Sequence, residues 1–434
     1  MRPGSSMRTG LFKAVALALV AFAVPVRAQD AGAEPPPTVA GGQADGGTGP
    51  SLLEEINAAA SDTTRQPAAP AVPSSPTART FQSFNPDISV IIDGTAGYAN
   101  KRSYSMAGDD PDLKGGSNDR PAGFTLQELE VAFQAVVDPY FRADVFLTIP
   151  NLQGIEVEEA VVTTTSLPAG FQVRAGVFRS AFGRQNGQHL HLQDFTRRPL
   201  INEAFLGVDG LRAPGMQVSW LFPTSFFLQL SAEAFSVPRP EDTGHLTSFG
   251  GGKRTDLTYT TELKVFVPAT QALSLYGGIN AAFGKSTYPR DGASTSVEGL
   301  DFYLKYKPPN VVGGYFSLAW TTEYFLRQVQ PLAAGETVAQ DGGLYTQLVF
   351  QLARQWLLGV RQDFLGVPQS TLQPRVQRTS LSLTFVFSEF ARLRLYGERE
   401  TTPAAGQSIF SGPECYATYL QLEVAIGAHG AHPF

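Results

Sequence analysis

Residues 124–149 read FTLQELEVAFQAVVDPYFRADVFLTI. Leu129, Val131, Phe133, Ala135 and Val137 alternate with Glu128, Glu130 and Gln134. After Asp138-Pro139 the alternation resumes: Phe141, Ala143, Val145 and Leu147 against Arg142, Asp144 and Thr148. A period of two places successive side chains on opposite faces of a strand, so the stretch predicts two strands joined by a tight turn. One face is continuously apolar and the other carries charge.

The same pattern runs along the chain. Ile88, Val90, Ile92, Ala96 and Tyr98 oppose Asp87, Ser89, Asp93 and Thr95. Further strands are predicted at 171–178, 215–222, 226–235, 257–267, 273–283, 300–307, 315–326, 344–352, 356–363, 378–387, 391–398 and 416–428. Residues 155–165 are strand-like, although Glu156, Glu158 and Glu159 blur their phase. The total is about sixteen, an even number, as in bacterial outer-membrane barrels. The connections alternate. Those at 138–139, 166–170, 222–225, 267–272, 307–314, 353–355 and 388–390 are short. Those at 99–123, 179–214, 236–256, 284–299, 327–343, 364–377 and 399–415 are long, and 150–154 is the exception. Short turns on one rim and long loops on the other describe an all-β, transmembrane antiparallel barrel with periplasmic turns and extracellular loops.

The polar faces carry Glu128, Glu130, Arg142, Asp144, Arg174, Lys264, Lys305, Arg361, Arg392 and Arg394. So many charges do not fit a dry core. They are expected to line a water-filled pore, with lipid against the apolar faces. Trp220, Trp320 and Trp356 fall on the apolar faces, and Trp220 and Trp356, near short turns, suit an interfacial girdle.

The chain has 434 residues, a formal net charge of −6 and one cysteine, Cys415. That balance argues against a nucleic-acid partner, and one cysteine excludes an internal disulfide framework. Residues 1–28 read as a signal peptide. Arg8 and Lys13 precede the apolar run AVALALVAFAVPV at 14–26, and Ala28 precedes the expected cut. Met7 is an alternative start. Residues 29–80, rich in Pro, Ala and Gly, read as a disordered periplasmic linker, with a short incidental helix possible from Ser51. No later run reaches the ~20 apolar residues of a membrane helix. The barrel domain is therefore assigned to 81–434.

NPDISVIIDG at 85–94 and VRAGVFRSAFGRQNGQHLHLQDFTRRPL at 173–200 resemble bacterial porins related to the phosphate-selective porin O and P family. Relatives of that family sometimes carry the label zinc-regulated TonB-dependent outer membrane receptor. The resemblance implies a sixteen-stranded, usually trimeric channel for ions or small hydrophilic solutes in the outer membrane of a Gram-negative bacterium. Outer-membrane lipid is the partner expected from the apolar faces, and the barrel assembly machinery is the one expected from the terminal aromatic residue, Phe434. The chain departs from the receptors, which have a plug and about 22 strands. It also departs from phosphate-selective members, because its inner face mixes acids with bases.

The longest interruption of the alternation is AFGRQNGQHLHLQDFTRRPLINEAFLGVDGLR at 181–212. In sixteen-stranded porins the third long-side loop folds inward, and irregular backbone is tolerated where water and wall groups satisfy it. Arg184, Asp194, Arg197, Arg198 and Glu203 are the candidate constriction residues, with a weak anion preference expected from the excess of arginine. His189-x-His191 near Asp194 has a spacing able to hold zinc, but two histidines in a loop are more often bystanders. No metal and no cofactor are expected. His245, His429 and His432 lack plausible catalytic partners, and no nucleophile motif is present, so no enzyme is expected. The leading function is passive diffusion through a porin-like channel. The alternatives are specific uptake of a metal ion or oxyanion, such as zinc or phosphate, and a non-conducting barrel serving as adhesin or anchor.

Overall fold

A computed structural model describes residues 86–100, 122–152, 154–239, 247–251, 253, 255–286, 290–309, 315–403 and 412–427. The signal peptide, the linker with its short helix, His245, His429, His432 and Phe434 lie outside the described residues.

The strands are β1 (Asp87–Ala99), β2 (Ala122–Val136), β3 (Phe141–Thr148), β4 (Glu156–Thr164), β5 (Phe171–Arg179), β6 (Arg212–Leu221), β7 (Phe227–Phe235) and β8 (Thr258–Pro268). They continue as β9 (Leu273–Lys285), β10 (Ser294–Tyr306), β11 (Ser317–Val329), β12 (Ala339–Ala353), β13 (Trp356–Ser370), β14 (Val376–Ser388), β15 (Ala391–Thr401) and β16 (Glu414–Gly427). Each pairs antiparallel with its neighbours in sequence, and β1 pairs with β16 from Ser89↔Gly427 to Ala99↔Ala417. The sheet therefore closes as a sixteen-stranded barrel. Among the described residues no helix is long and apolar enough to cross a membrane.

The alternation sorts the wall as expected. On β14, Arg378, Ser380, Ser382 and Thr384 are buried inward, while Leu381 and Leu383 are exposed outward. On β16, Gln421 and Glu423 face in and Leu420 and Leu422 face out. Aromatic side chains gather at the short-turn rim. Trp220 stacks on Phe171 at 5.6 Å and on Phe222 at 4.0 Å, and its indole donates to Ala169 O at 3.1 Å. Trp356 packs on Phe385 at 4.8 Å. Trp320, beside Leu304 on the outer face of β11, donates to Thr346 Oγ1 at 2.8 Å, so neither polar group meets the outer medium unpaired.

The long-loop rim differs from the sequence reading in places. The loop predicted at 364–377 shrinks to 371–375, because β13 runs to Ser370 and β14 starts at Val376. The loop predicted at 327–343 shrinks to 330–338. Backbone pairing continues as Gln328↔Gln340 and Val329↔Ala339, where the outward residues are polar and the inward ones apolar and buried, the reverse of the pattern that marks a strand lower in the wall.

Two register shifts shape the wall near β3. Opposite Asp93 and Gly94 of β1, strand β2 carries Gln127 as an extra residue. Opposite Phe146 and Leu147 of β3, strand β4 carries Glu158 as an extra residue. A bulge lets two successive side chains point the same way. Gln127 and Glu128 are both buried, and so are Glu158 and Glu159. The blurred phase of residues 155–165 is this bulge.

Replacing Leu381, in the middle of β14's lipid face, with Arg is expected to cost about 2–4 kcal/mol. Urea titration of folding into bilayers measures it; an unchanged midpoint would show that this face is not in hydrocarbon.

Candidate functional site

Residues 180–211, between β5 and β6, lie inside the barrel. The loop closes at its base. Ser180 N donates to Leu211 O at 2.9 Å. Asn186 Nδ2 donates to Ser180 O at 2.7 Å and to Leu211 O at 3.1 Å, while its Oδ1 accepts from Leu211 N at 2.7 Å. Gly210 sits at φ 78° against this amide, where a Cβ would collide with it.

From that clasp the chain visits most of the wall. Glu233 of β7 accepts from Ser180 and Ala181. Gly183 N donates to Asn280 Oδ1 of β9 at 3.0 Å, and Gln185 N to Glu323 Oε1 of β11 at 2.8 Å. His189 and His191 reach β2 and β4. Thr196 Oγ1 donates to Gln421 Oε1 of β16 at 2.9 Å. Arginines of β13–β15 then take hold of the loop's carbonyl groups. Arg392 donates to His191 O, and Arg394 to Gln193 O at 2.8 Å. Arg361 donates to Arg197 O at 2.8 Å and to Arg198 O at 3.3 Å, and Arg378 also reaches Arg198 O. The loop ends in a helix, α1 (Leu200–Leu206), whose first amide donates to Asp363 Oδ1 of β13 at 2.9 Å.

Helix α1 buries Leu200, Ile201, Phe205 and Leu206 against inward apolar residues of the wall, among them Phe178, Phe235, Phe325, Tyr345 and Leu365. Each such side chain contributes about 1.5–3 kcal/mol. This apolar belt was missed in the sequence. Its signal was parity, since Phe325 shares a face with Glu323 and Arg327, and Leu365 with Arg361 and Asp363.

The five constriction candidates take different positions. Arg197 is buried, paired with Glu398 at 2.7 Å and Glu203 at 3.7 Å. Arg198 is buried and donates to Gln188 O at 3.1 Å. Glu203 also meets Arg378 at 3.3 Å. Arg184 is half-buried over the ring of Tyr303, 3.9 Å from its centroid. Asp194 is exposed. The expectation that the inner charges all face open water fails: Glu128, Glu130, Asp144, Arg174, Arg361 and Arg394 point inward but are buried. Opposite charges and loop carbonyls replace their hydration. Arg142, Lys264 and Arg392 keep 23%, 12% and 13% side-chain exposure, each beside an acid (Asp144, Glu262 and Glu423). Lys305 is half-buried near the end of β10.

One sector concentrates acids and histidines. The bulged strands present Glu128, Glu130, Glu158 and Glu159, all buried. His189 Nδ1 lies 3.0 Å from Glu130 Oε2 and 3.4 Å from Glu158 Oε2, and its Nε2 is 3.7 Å from Glu159 Oε2. His191 Nδ1 lies 3.5 Å from the same Glu130 oxygen. Phe146 packs on the His189 ring at 4.7 Å. Burial opposes charge on that ring, but Glu158 and Glu130 outweigh it and hold its pKa well above the usual histidine range. Asp194, suggested by spacing as the pair's partner, is not in this group; the wall supplies Glu130 instead.

No family model matches the chain. An uncharacterized protein of Aquifex aeolicus (strain VF5) is 31% identical over 396 residues, covering 81% of each chain. The two belong to one family. Among solved structures, the anion-selective porin from Comamonas acidovorans is similar with a TM-score of 0.52 at 12% identity, covering 79% of this chain and 99% of the porin. OmpT, an outer membrane protein of Vibrio cholerae in its trimer form, is similar with a TM-score of 0.51 at 10% identity, covering 79% and 99%. Within its family this chain thus has the fold of an outer-membrane porin barrel.

Asn186→Ala removes the side-chain half of the clasp and strands the Leu211 amide, at a cost of about 1–3 kcal/mol. Limited trypsinolysis after Arg184 or Arg197 is expected to accelerate in the folded, detergent-solubilised variant. Equal cleavage rates in the variant and the wild type would show that the clasp does not hold the loop.

Proposed function

We propose that the protein is a porin-like channel of a Gram-negative outer membrane, passing small hydrophilic solutes or ions by diffusion, with residues 180–211 as its constriction. The observation that carries this reading is a closed barrel, apolar outside and charged inside, whose lumen is crossed by a loop fastened to the wall. A gradient is the only driving force required. The resemblance of residues 173–200 favours a relationship to the porin O and P family, and the trimer form of the Vibrio cholerae barrel favours a homotrimer.

Selectivity in this reading does not follow the arginine count. Arg361 and Arg378 spend their donors on loop carbonyls and acids, Arg394 on a loop carbonyl, Gln421 and Thr384, and Arg197 and Arg198 are sealed in the loop. Among the constriction and lining candidates, the charges nearest to solvent are Asp194, Arg184 and the basic side chains of the short-turn vestibule, Arg142, Lys264, Lys305 and Arg392. Such a mixture gives a weak preference. The comparison with an anion-selective porin supports anions as the preferred sign.

Planar-bilayer recording tests the reading. The wild type is expected to carry an ohmic current. Replacing residues 187–207 with two glycines, which the closeness of Asn186 to Leu211 permits, is expected to raise conductance several-fold. No current from either protein would turn the assignment toward an anchor or adhesin.

A further inference from the structure

The cluster between β2, β4 and the loop contains more ligand chemistry than a constriction needs. One ligand atom each of Glu130, His189 and His191 (a carboxylate oxygen and two ring nitrogens) lie within 4.8 Å of one another, and so do carboxylate oxygens of Glu128, Glu130 and Glu158. All five side chains are buried. Two ligands bound to zinc at about 2.0–2.1 Å along tetrahedral directions stand about 3.3 Å apart. Glu130 Oε2 stands 3.0 Å from His189 Nδ1 and 3.5 Å from His191 Nδ1, on either side of that spacing.

A second observation points the same way. Glu128 is 6% exposed, and its Oε1 is buried with no hydrogen-bond partner, although it belongs to the carboxylate group just described. A buried, unpaired carboxylate oxygen is costly. Arg179 engages Glu158, but that leaves the Glu128 oxygen unanswered. A cation placed among these oxygens would answer it.

We propose that Glu130, His189 and His191 form a binding site for a divalent transition-metal ion of the zinc class, with Glu128 and Glu158 as adjoining carboxylate ligands. Two imidazole nitrogens with carboxylate oxygen suit zinc, cobalt or nickel rather than calcium or magnesium, which take oxygen ligands. The site lies close to the long-loop rim: Glu130 pairs with Thr148, the last residue of β3, and Glu158 is the third residue of β4. The consequence for transport, a channel that takes up or is blocked by the metal, rests on the channel reading; the binding itself does not.

The test is calorimetric titration of zinc chloride into the chelator-treated, untagged full chain in detergent, with cobalt chloride absorbance in parallel. The expected result is one ion per chain. Affinity should fall at least tenfold in Glu130→Gln and in the His189→Ala/His191→Ala double variant, and hold in His429→Ala/His432→Ala. Cobalt should give the intense visible bands of four-coordinate geometry. Equal zinc affinity in wild type and variants, or no binding by the wild type, would overturn the site and leave a proton-sharing carboxylate–imidazole network. If the double variant fails to fold, the wild-type cobalt spectrum decides, and weak six-coordinate bands alone would overturn the proposal. Bilayer current, recorded separately, shows whether the channel reading stands when the metal site does not.

Discussion

A backbone that crosses hydrocarbon must have all its hydrogen-bonding groups paired, because no water is there to pair them. In this protein that demand is met at one seam, where β1 meets β16 along eleven residue pairs from Ser89↔Gly427 to Ala99↔Ala417. Without the seam, two strand edges would open to lipid. With it, the sheet encloses a space, and every second side chain of sixteen strands must face into that space. The composition of the wall follows: leucine and aromatic residues outside, and inside acids, arginines and amides around the apolar belt that meets α1.

The enclosed space creates the next constraint. The loop at 180–211 carries irregular backbone into a confined lumen, and its amides and carbonyls need partners there. The wall answers with two kinds of group. Acceptors on β7, β9, β11 and β13 (Glu233, Asn280, Glu323 and Asp363) take loop amides. Arginines on β13–β15 take loop carbonyls. Hydrogen bonds to charged groups are worth about 1.5–3 kcal/mol each, enough together to offset part of the cost of burying the charges. Inner arginines here hold a loop as much as they meet a solute, so a basic lining does not by itself describe selectivity.

The two bulges act in the same economy of position. A regular β2 and β4 would turn Gln127 and Glu158 out toward lipid. Instead each strand gives up one step of its ladder and gains an extra inward polar side chain, next to the point where the loop delivers two histidines. Bulges concentrate where a strand must re-aim a side chain, and here they gather acids at one depth in the barrel.

The sequence by itself determined the barrel. Period-two alternation with one lipid-compatible face, as at 124–149, leaves few folds open, and the split between short and long connections sets the up-and-down order. It also marked 181–212 as the loop that breaks the pattern and named Glu130, His189 and His191 separately. Only the tertiary structure decided which of these groups meet. His189 and Glu130 are 59 residues apart, and Arg197 and Glu398 are 201 apart. No local period carries such pairings, because they depend on the depth to which the loop descends and the wall it faces. The same holds for the apolar belt under α1 and for the burial of the inner charges. Alternation tells a side chain which way to point; what stands opposite is fixed by closure of the sheet and the path of the loop across it.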